Sequence, residues 1–136
     1  MSVLIDTCVW SEALRRREVD VESVVVSELR ALIADGIAAM MGAVRQELLS
    51  GVRSRQQYER LREHLRAFPD LVLEPDDYQR AAEHFTSART RGVKGSNTDF
   101  LICAVAERRE MPIFSSDGDF RRFADFLPIT LHSPRE

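Results

Sequence analysis

The sequence predicts an α/β protein built on a parallel sheet, and three observations carry that expectation. Short apolar runs rich in β-branched residues, the first being Ser2-Val3-Leu4-Ile5, alternate with longer stretches of helical periodicity. No Asn-Gly hairpin turn joins one run to the next, so neighbouring strands are expected to be linked by crossover helices. The first run also stops on a carboxylate, Asp6, as a buried parallel strand does when it delivers a side chain to the carboxyl edge of an open sheet.

Taken in order, Cys8 to Arg17 reads as a helix with Val9, Trp10, Ala13 and Leu14 at helical spacing. A second helix, from about Val21 to Ala34, carries Val24, Val25, Leu29, Leu32 and Ile33 on one face and is stopped by Asp35-Gly36. Ile37 to Met41 is a short strand. Gly42 then opens a helix on which Val44, Glu47 and Leu48 share a face, so Glu47 is expected on the apolar side. Ser54 to Ala67 is a charged helix with Tyr58, Leu61 and Leu65 as its buried stripe, and Leu71-Val72-Leu73 is read as a strand. Pro75, with Asp76 and Asp77 in the first turn, starts a helix to about Arg91 whose inward face would be Tyr78, Ala81, Ala82, Phe85 and Ala88. Asp99 begins the most apolar helix, 101–106, which is expected to be central. Met111 to Phe114, a short helix through Phe126, and a strand around Ile129 to Leu131 complete a sheet of about five strands.

The 136 residues suit a single domain over 1–136, with 44% hydrophobic and 30% charged residues, five prolines and six glycines, the composition of an ordinary folded protein. No run reaches membrane-spanning length, and a cytoplasmic protein with no membrane partner is expected. The net charge of −3 argues against holding nucleic acid by bulk electrostatics, but not against a nucleic acid substrate. Cys8 and Cys103 lack metal or redox spacing and are expected to act as small buried hydrophobes. His64, His84 and His132 are scattered, and surface roles are expected for all three. Trp10 can be read either as core or as the lining of a groove for a partner helix.

The chemistry is sought in five acids. Asp6, Asp99 and Asp117 fall at strand ends or helix starts, which share one edge of a parallel sheet, and Glu47 and Asp119 are their nearest companions in this reading. Four have a plain alternative, Asp6 and Asp99 as helix-start residues and Asp117 and Asp119 as turn residues around Gly118, whereas Glu47 on an apolar face must meet a cation, a donor or a proton. Jointly, carboxylates at one edge repel one another, and a hard cation with oxygen ligands, Mg²⁺ or Mn²⁺, resolves the repulsion. Such a site hydrolyses phosphodiesters without a nucleophilic side chain. Rival chemistries lack parts, since Asp6-Thr7-Cys8-Val9-Trp10 is neither a dinucleotide fingerprint nor a phosphate-binding loop.

The stretches VLIDTCVWSEAL (3–14), RQELLSGVRS (45–54), SNTDFLICAVA (96–106) and IFSSDGDF (113–120) resemble, in order and spacing, the PIN-domain nucleases, and within them the VapC-type toxins of type II toxin-antitoxin pairs. The resemblance implies a three-layer sandwich and a Mg²⁺- or Mn²⁺-dependent endoribonuclease, usually a homodimer, inhibited by a cognate antitoxin. It assigns the catalytic acids to Asp6, Glu47, Asp99 and Asp117, with Asp119 a fifth that competes with Asp117 for the metal. Thr7, Thr98 and Ser115 match polar positions beside the acids, Ser115 standing where Thr is frequent. The ion is then expected on Asp6, Asp99 and Asp117 or Asp119, with Glu47 acting through a water or as a partner that supports the ligands. Arg15, Arg16 and Lys94, the only lysine, are candidates for steering the RNA substrate, against the alternative of solvated surface. Two other readings stay open: a PIN-like module that binds RNA or protein without cleaving, and a metal-dependent DNA nuclease.

Overall fold

Strand β1 (Val3–Ile5) is wholly buried and sits in the middle of a parallel sheet of order β2-β1-β3, with β2 at Ala38–Ala39 and β3 at Ile113–Phe114. The computed structural model describes residues 1–15 and 23–135. Val3 pairs with Ala38, and Leu4 with Ala39 on one side and Ile113 on the other, so the first strand made is the last to be flanked. The helices are α1 (Thr7–Arg15), α2 (Val24–Ala34), α3 (Gly42–Ser50), α4 (Arg55–Leu65), α5 (Pro75–Thr90), α6 (Asn97–Arg108) and α7 (Asp119–Ala124). Arg16, Arg17 and Val21 lie outside the described residues.

The sheet is shorter at its rims than the apolar runs suggest. The expected strands at 71–73 and 129–131 are reduced to single parallel bridges, Met40 to Asp70 just before the first and Ile113 to Leu131 at the end of the second. At the first rim, Val72 is 84% exposed and its carbonyl accepts from Arg109 Nη2 at 2.7 Å, so a guanidinium takes the place of a neighbouring strand. At the other, Ile113 N–H donates to Thr130 O and His132 N–H to Ile113 O, both at 2.8 Å, before the chain turns away.

Local signals account for the helix starts. Ser23 caps α2 by accepting from Val26 N–H at 3.1 Å, and Ser54 caps α4 through Gln57 N–H at 3.1 Å. Asp77 Oδ2 accepts from Glu74 N–H at 2.7 Å at the start of α5, behind Pro75. Gly36, at φ +74°, supplies the left-handed turn that releases α2 into β2.

Helix α6 is the spine of the core: Phe100 to Ala106 are all buried, flanked by rings at 4.9 Å (Phe100 to Phe123) and 5.5 Å (Phe85 to Phe100). Gly95 lets the chain pass under that ring pair, since a Cβ there would lie 2.7 Å from Phe100 and 2.8 Å from Phe123. Trp10 is core, edge-on to Phe68 at 4.9 Å.

Four expectations are corrected by burial. Tyr78 (57% exposed) and Ala82 face outward from α5, and Asp77 and His84 turn inward instead. His84 is buried because Glu107 on α6 meets its Nε2 at 2.6 Å and also binds Arg80. His132 is likewise no surface residue: it joins Arg135 in binding the buried Glu28 of α2. On α2 itself, Val24 and Ile33 are exposed, while Val26 and Glu28 pack inward.

Candidate active site

Asp6 leaves β1 at the carboxyl edge, and the first turn of α1 closes over it. It is 6% exposed, and its two oxygens are held from different elements: Oδ1 accepts from Thr7 N–H at 2.8 Å, Oδ2 from Ser115 Oγ at 2.9 Å and from Cys8 Sγ at 3.0 Å. Burial raises the Asp6 carboxyl above the ordinary carboxylate range, partly offset by these bonds, and Asp117 adds repulsion.

Asp99 stands in the first turn of α6 through a reciprocal cap: its Oδ2 accepts from Ser96 N–H at 3.0 Å and Ser96 Oγ accepts from its N–H at 3.1 Å. The helix-start role and the site role therefore coincide on one side chain. Asp99 too is raised, by burial first and then by the charges of Asp6 and Glu47. The charges of Asp6 and Glu47 are thus felt at Asp99, and that of Asp117 at Asp6.

Glu47 is exposed, contrary to its apolar-face spacing, while its neighbours on that face, Val44 and Leu48, are buried. Its Oε1 accepts from Thr7 Oγ1 at 2.6 Å, tying α3 to the start of α1. Together with Thr98, Gln46 and Ser50 it lines an open cleft of about 450 Å³.

The two acids of the last motif separate. Asp117 takes Asp119 N–H on its Oδ1 at 3.0 Å, starting α7, and gives its own N–H to Ser115 Oγ at 3.0 Å, while its charge is felt at Asp6. Asp119 leans on Arg122 at 3.8 Å. Sequence reasoning missed two members of this network. Cys8 is half-buried and hydrogen-bonded to Asp6, and it accepts from Ser116 Oγ at 3.2 Å; burial and the Asp6 charge raise its thiol. Its place two residues after a strand-end acid was the available signal. Cys103 is the buried hydrophobe expected.

The expected basic residues are not gathered with the acids. Arg15 ends α1, roughly 12 Å along the helix axis from Thr7, and its Nε binds Ser11 O. Lys94 is exposed in the loop before Ser96 and has no partner among the described residues. Arg16 lies outside the described residues. Nor, among the described residues, do three His, Cys, Asp or Glu side chains converge tightly enough to chelate an ion alone. The donor set is nevertheless carboxylate and hydroxyl oxygen, with two raised acids and, among the described residues, no cation bonded to them. It fits a hard ion that keeps most of its waters and needs one or two carboxylates.

Among families of known domains, the PIN domain matches residues 3–126. The chain belongs to the PIN domain family. PIN domains are generally nucleases that use divalent metal ions, so phosphodiester hydrolysis is the activity class of this fold. Solved PIN-fold relatives include FitAcB from Neisseria gonorrhoeae (22% identical, covering 97% of each chain, TM-score 0.74). VapBC2 from Rickettsia felis, bound to a DNA fragment from their promoter, is 17% identical, covers 97% of this chain and 98% of its own, and has a TM-score of 0.76. VapBC-1 from nontypeable Haemophilus influenzae is 14% identical over 98% of each chain, with a TM-score of 0.72. No curated protein matches the sequence. Among the described residues no helix of this PIN chain is long and apolar enough to cross a membrane.

Proposed function

We propose that this PIN domain is a divalent-metal-dependent endoribonuclease of the VapC kind, a homodimeric toxin held in check by a cognate antitoxin. The observation that carries the reading is the raised pair, buried Asp6 and half-buried Asp99, which feel the charges of Asp117 and Glu47 and have no basic side chain bonded to them among the described residues. Structural likeness to toxin-antitoxin complexes, one of them from Klebsiella pneumoniae, supports the partner.

Asp6, Asp99 and Asp117 would hold a Mg²⁺ or Mn²⁺ ion, with Asp119 set aside by its contact with Arg122. When bound, the ion supplies positive charge that favours deprotonated water and stabilises charge developing on the phosphodiester. The chain's own part is orientation. Thr7 N–H, Ser115 and Cys8 fix both oxygens of Asp6, and Ser96 fixes Asp99, so neither carboxylate has to reorganise when substrate arrives. Glu47, exposed and near its neighbours, accepts a proton from attacking water, while Thr98 hydrogen-bonds a substrate oxygen.

The test is cleavage of an end-labelled structured RNA and of a matched DNA, with Mg²⁺, Mn²⁺ or EDTA. Metal-dependent cuts in RNA that vanish in Asp99→Asn are expected. Preference for DNA, or cleavage that survives EDTA, overturns the reading.

A further inference from the structure

Beyond the parallel bridge of Leu131 to β3, the chain runs on to α2 and is pinned there. Buried Glu28 holds His132 Nε2 at 2.5 Å and Arg135 Nε at 2.8 Å, and the segment between them forms one wall of a cleft of about 410 Å³. The opposite walls are the end of β3 and the start of α7. Ser115 and Asp117 line this cleft as well as the acid edge, so the two are continuous. Its surface combines apolar Val25, Leu131 and Pro134 with the hydroxyls of Ser116 and Ser133.

On its α7 side stands Arg121, exposed and with no hydrogen-bond or ion-pair partner for its guanidinium among the described residues, whereas Arg122 beside it contacts Asp119. An edge of carboxylates repels phosphate, and a substrate with several phosphates needs a cation along its path. Arg121 is that cation. The volume is that of a small-ligand site, which runs to about 300–1,000 Å³. A partner helix, roughly 10 Å across, would fit no more than a turn of itself.

We propose that this cleft is a nucleotide subsite. Resting on the ribonuclease reading above, it receives a nucleotide next to the scissile phosphodiester, with Arg121 on a flanking phosphate and the base against the apolar wall, where Ser116 and Ser133 hydrogen-bond its edge. It makes the cut selective for the base at one position.

The experiment uses Arg121→Gln, Arg121→Lys and Ser133→Phe, all at exposed positions outside the acid set, with thermal melts to verify the fold. Cleavage positions are mapped on a short RNA library, RNA affinity is measured over a salt series in an Asp99→Asn background, and the four ribonucleoside 5′-monophosphates are titrated without metal by amide NMR. Expected are a salt slope lower by about one in Arg121→Gln with recovery in Arg121→Lys, a flattened base preference at one flanking position in Ser133→Phe, and nucleotide-induced shifts confined to 115–121 and 131–133. Parental preference and salt slope in all three variants overturn the subsite. So does loss of binding to an antitoxin peptide with unchanged RNA selectivity, which would make the cleft a protein site. If the parent cuts no nucleic acid, the ribonuclease reading has failed, and the titration decides alone: localised shifts support the subsite, a flat titration overturns it.

Discussion

At the carboxyl edge of the sheet, Asp6 and Asp99 are raised by burial and by neighbouring carboxylates. At the seam between α5 and α6, Asp77 is buried more completely, yet bonds from Arg109, and then Glu74 N–H and Arg108, hold it well below the usual range against the push of desolvation. Glu107 and Glu28 behave like Asp77: burial pushes them up, and Arg80 with His84, or His132 with Arg135, more than reverse it. Burial alone therefore does not distinguish a functional acid from a structural one. What separates the two groups here is the sign of the neighbours: Asp77, Glu107 and Glu28 have cations bonded to them, and Asp6 and Asp99 have none among the described residues.

The contrast is broken most sharply at Asp99. Asp99→Asn keeps the acceptor for Ser96 N–H but removes a charge, so cleavage of RNA should fall by about 10³-fold, a loss of several kcal/mol of transition-state stabilisation. The metal-free melting temperature should hold or rise. A raised acid supports the fold below its unfolded pKa of 3.8 and loses that support as pH rises through its folded value, so Asn should gain on the parent between pH 4 and 7. Normal cleavage, or an advantage that shrinks with pH, would place Asp99 among the structural acids.

Asp77→Ala tests the other side. It should cost about 2–3 kcal/mol in denaturant unfolding, under the range for fully buried pairs because Arg108 and Arg109 are partly solvated. Activity per folded molecule should be unchanged. Asp77 is depressed, so its contribution is present above pH 3.8 and lost as pH falls; the deficit of the variant should narrow in acid.

Gly95 lies between the two regions. Gly95→Ala drives a methyl into Phe100 and Phe123 and displaces Ser96 with the cap that sets Asp99. It should lose about 2 kcal/mol and cleavage rate together, read in parallel melts and assays. The smallest effect is expected at Glu110, whose φ of 54° follows α6. Glu110→Gly should stabilise the seam by about 1 kcal/mol with activity unchanged.

The sequence made one side of this comparison more legible than the other. Asp6 and Asp99 announce themselves by position, at a strand end and a helix start, because topology puts such points at one edge. The clasps are invisible in sequence: Glu28 meets His132 across 104 residues and Arg109 meets Asp77 across 32, so His84, His132 and Asp77 look like surface residues until their partners are placed. Helical periodicity misjudged Glu47 and Tyr78 because it gives a face without saying where the neighbouring layer stops. The outer strands failed for a similar reason, since apolar runs at 71–73 and 129–131 reveal nothing of whether a partner strand exists on their far side.

Placing β1 between β2 and β3 also sets an order in time. Asp6 and Ser115, which fixes its Oδ2, stand 109 residues apart, so synthesis of one precedes the other by on the order of 10 s at ordinary elongation rates. Loop closure over that span must precede the contact. The tail that secures α2 is synthesised later still. A nascent chain consequently carries Asp6 without the bond that holds its Oδ2, and that bond forms only after Ser115 has emerged.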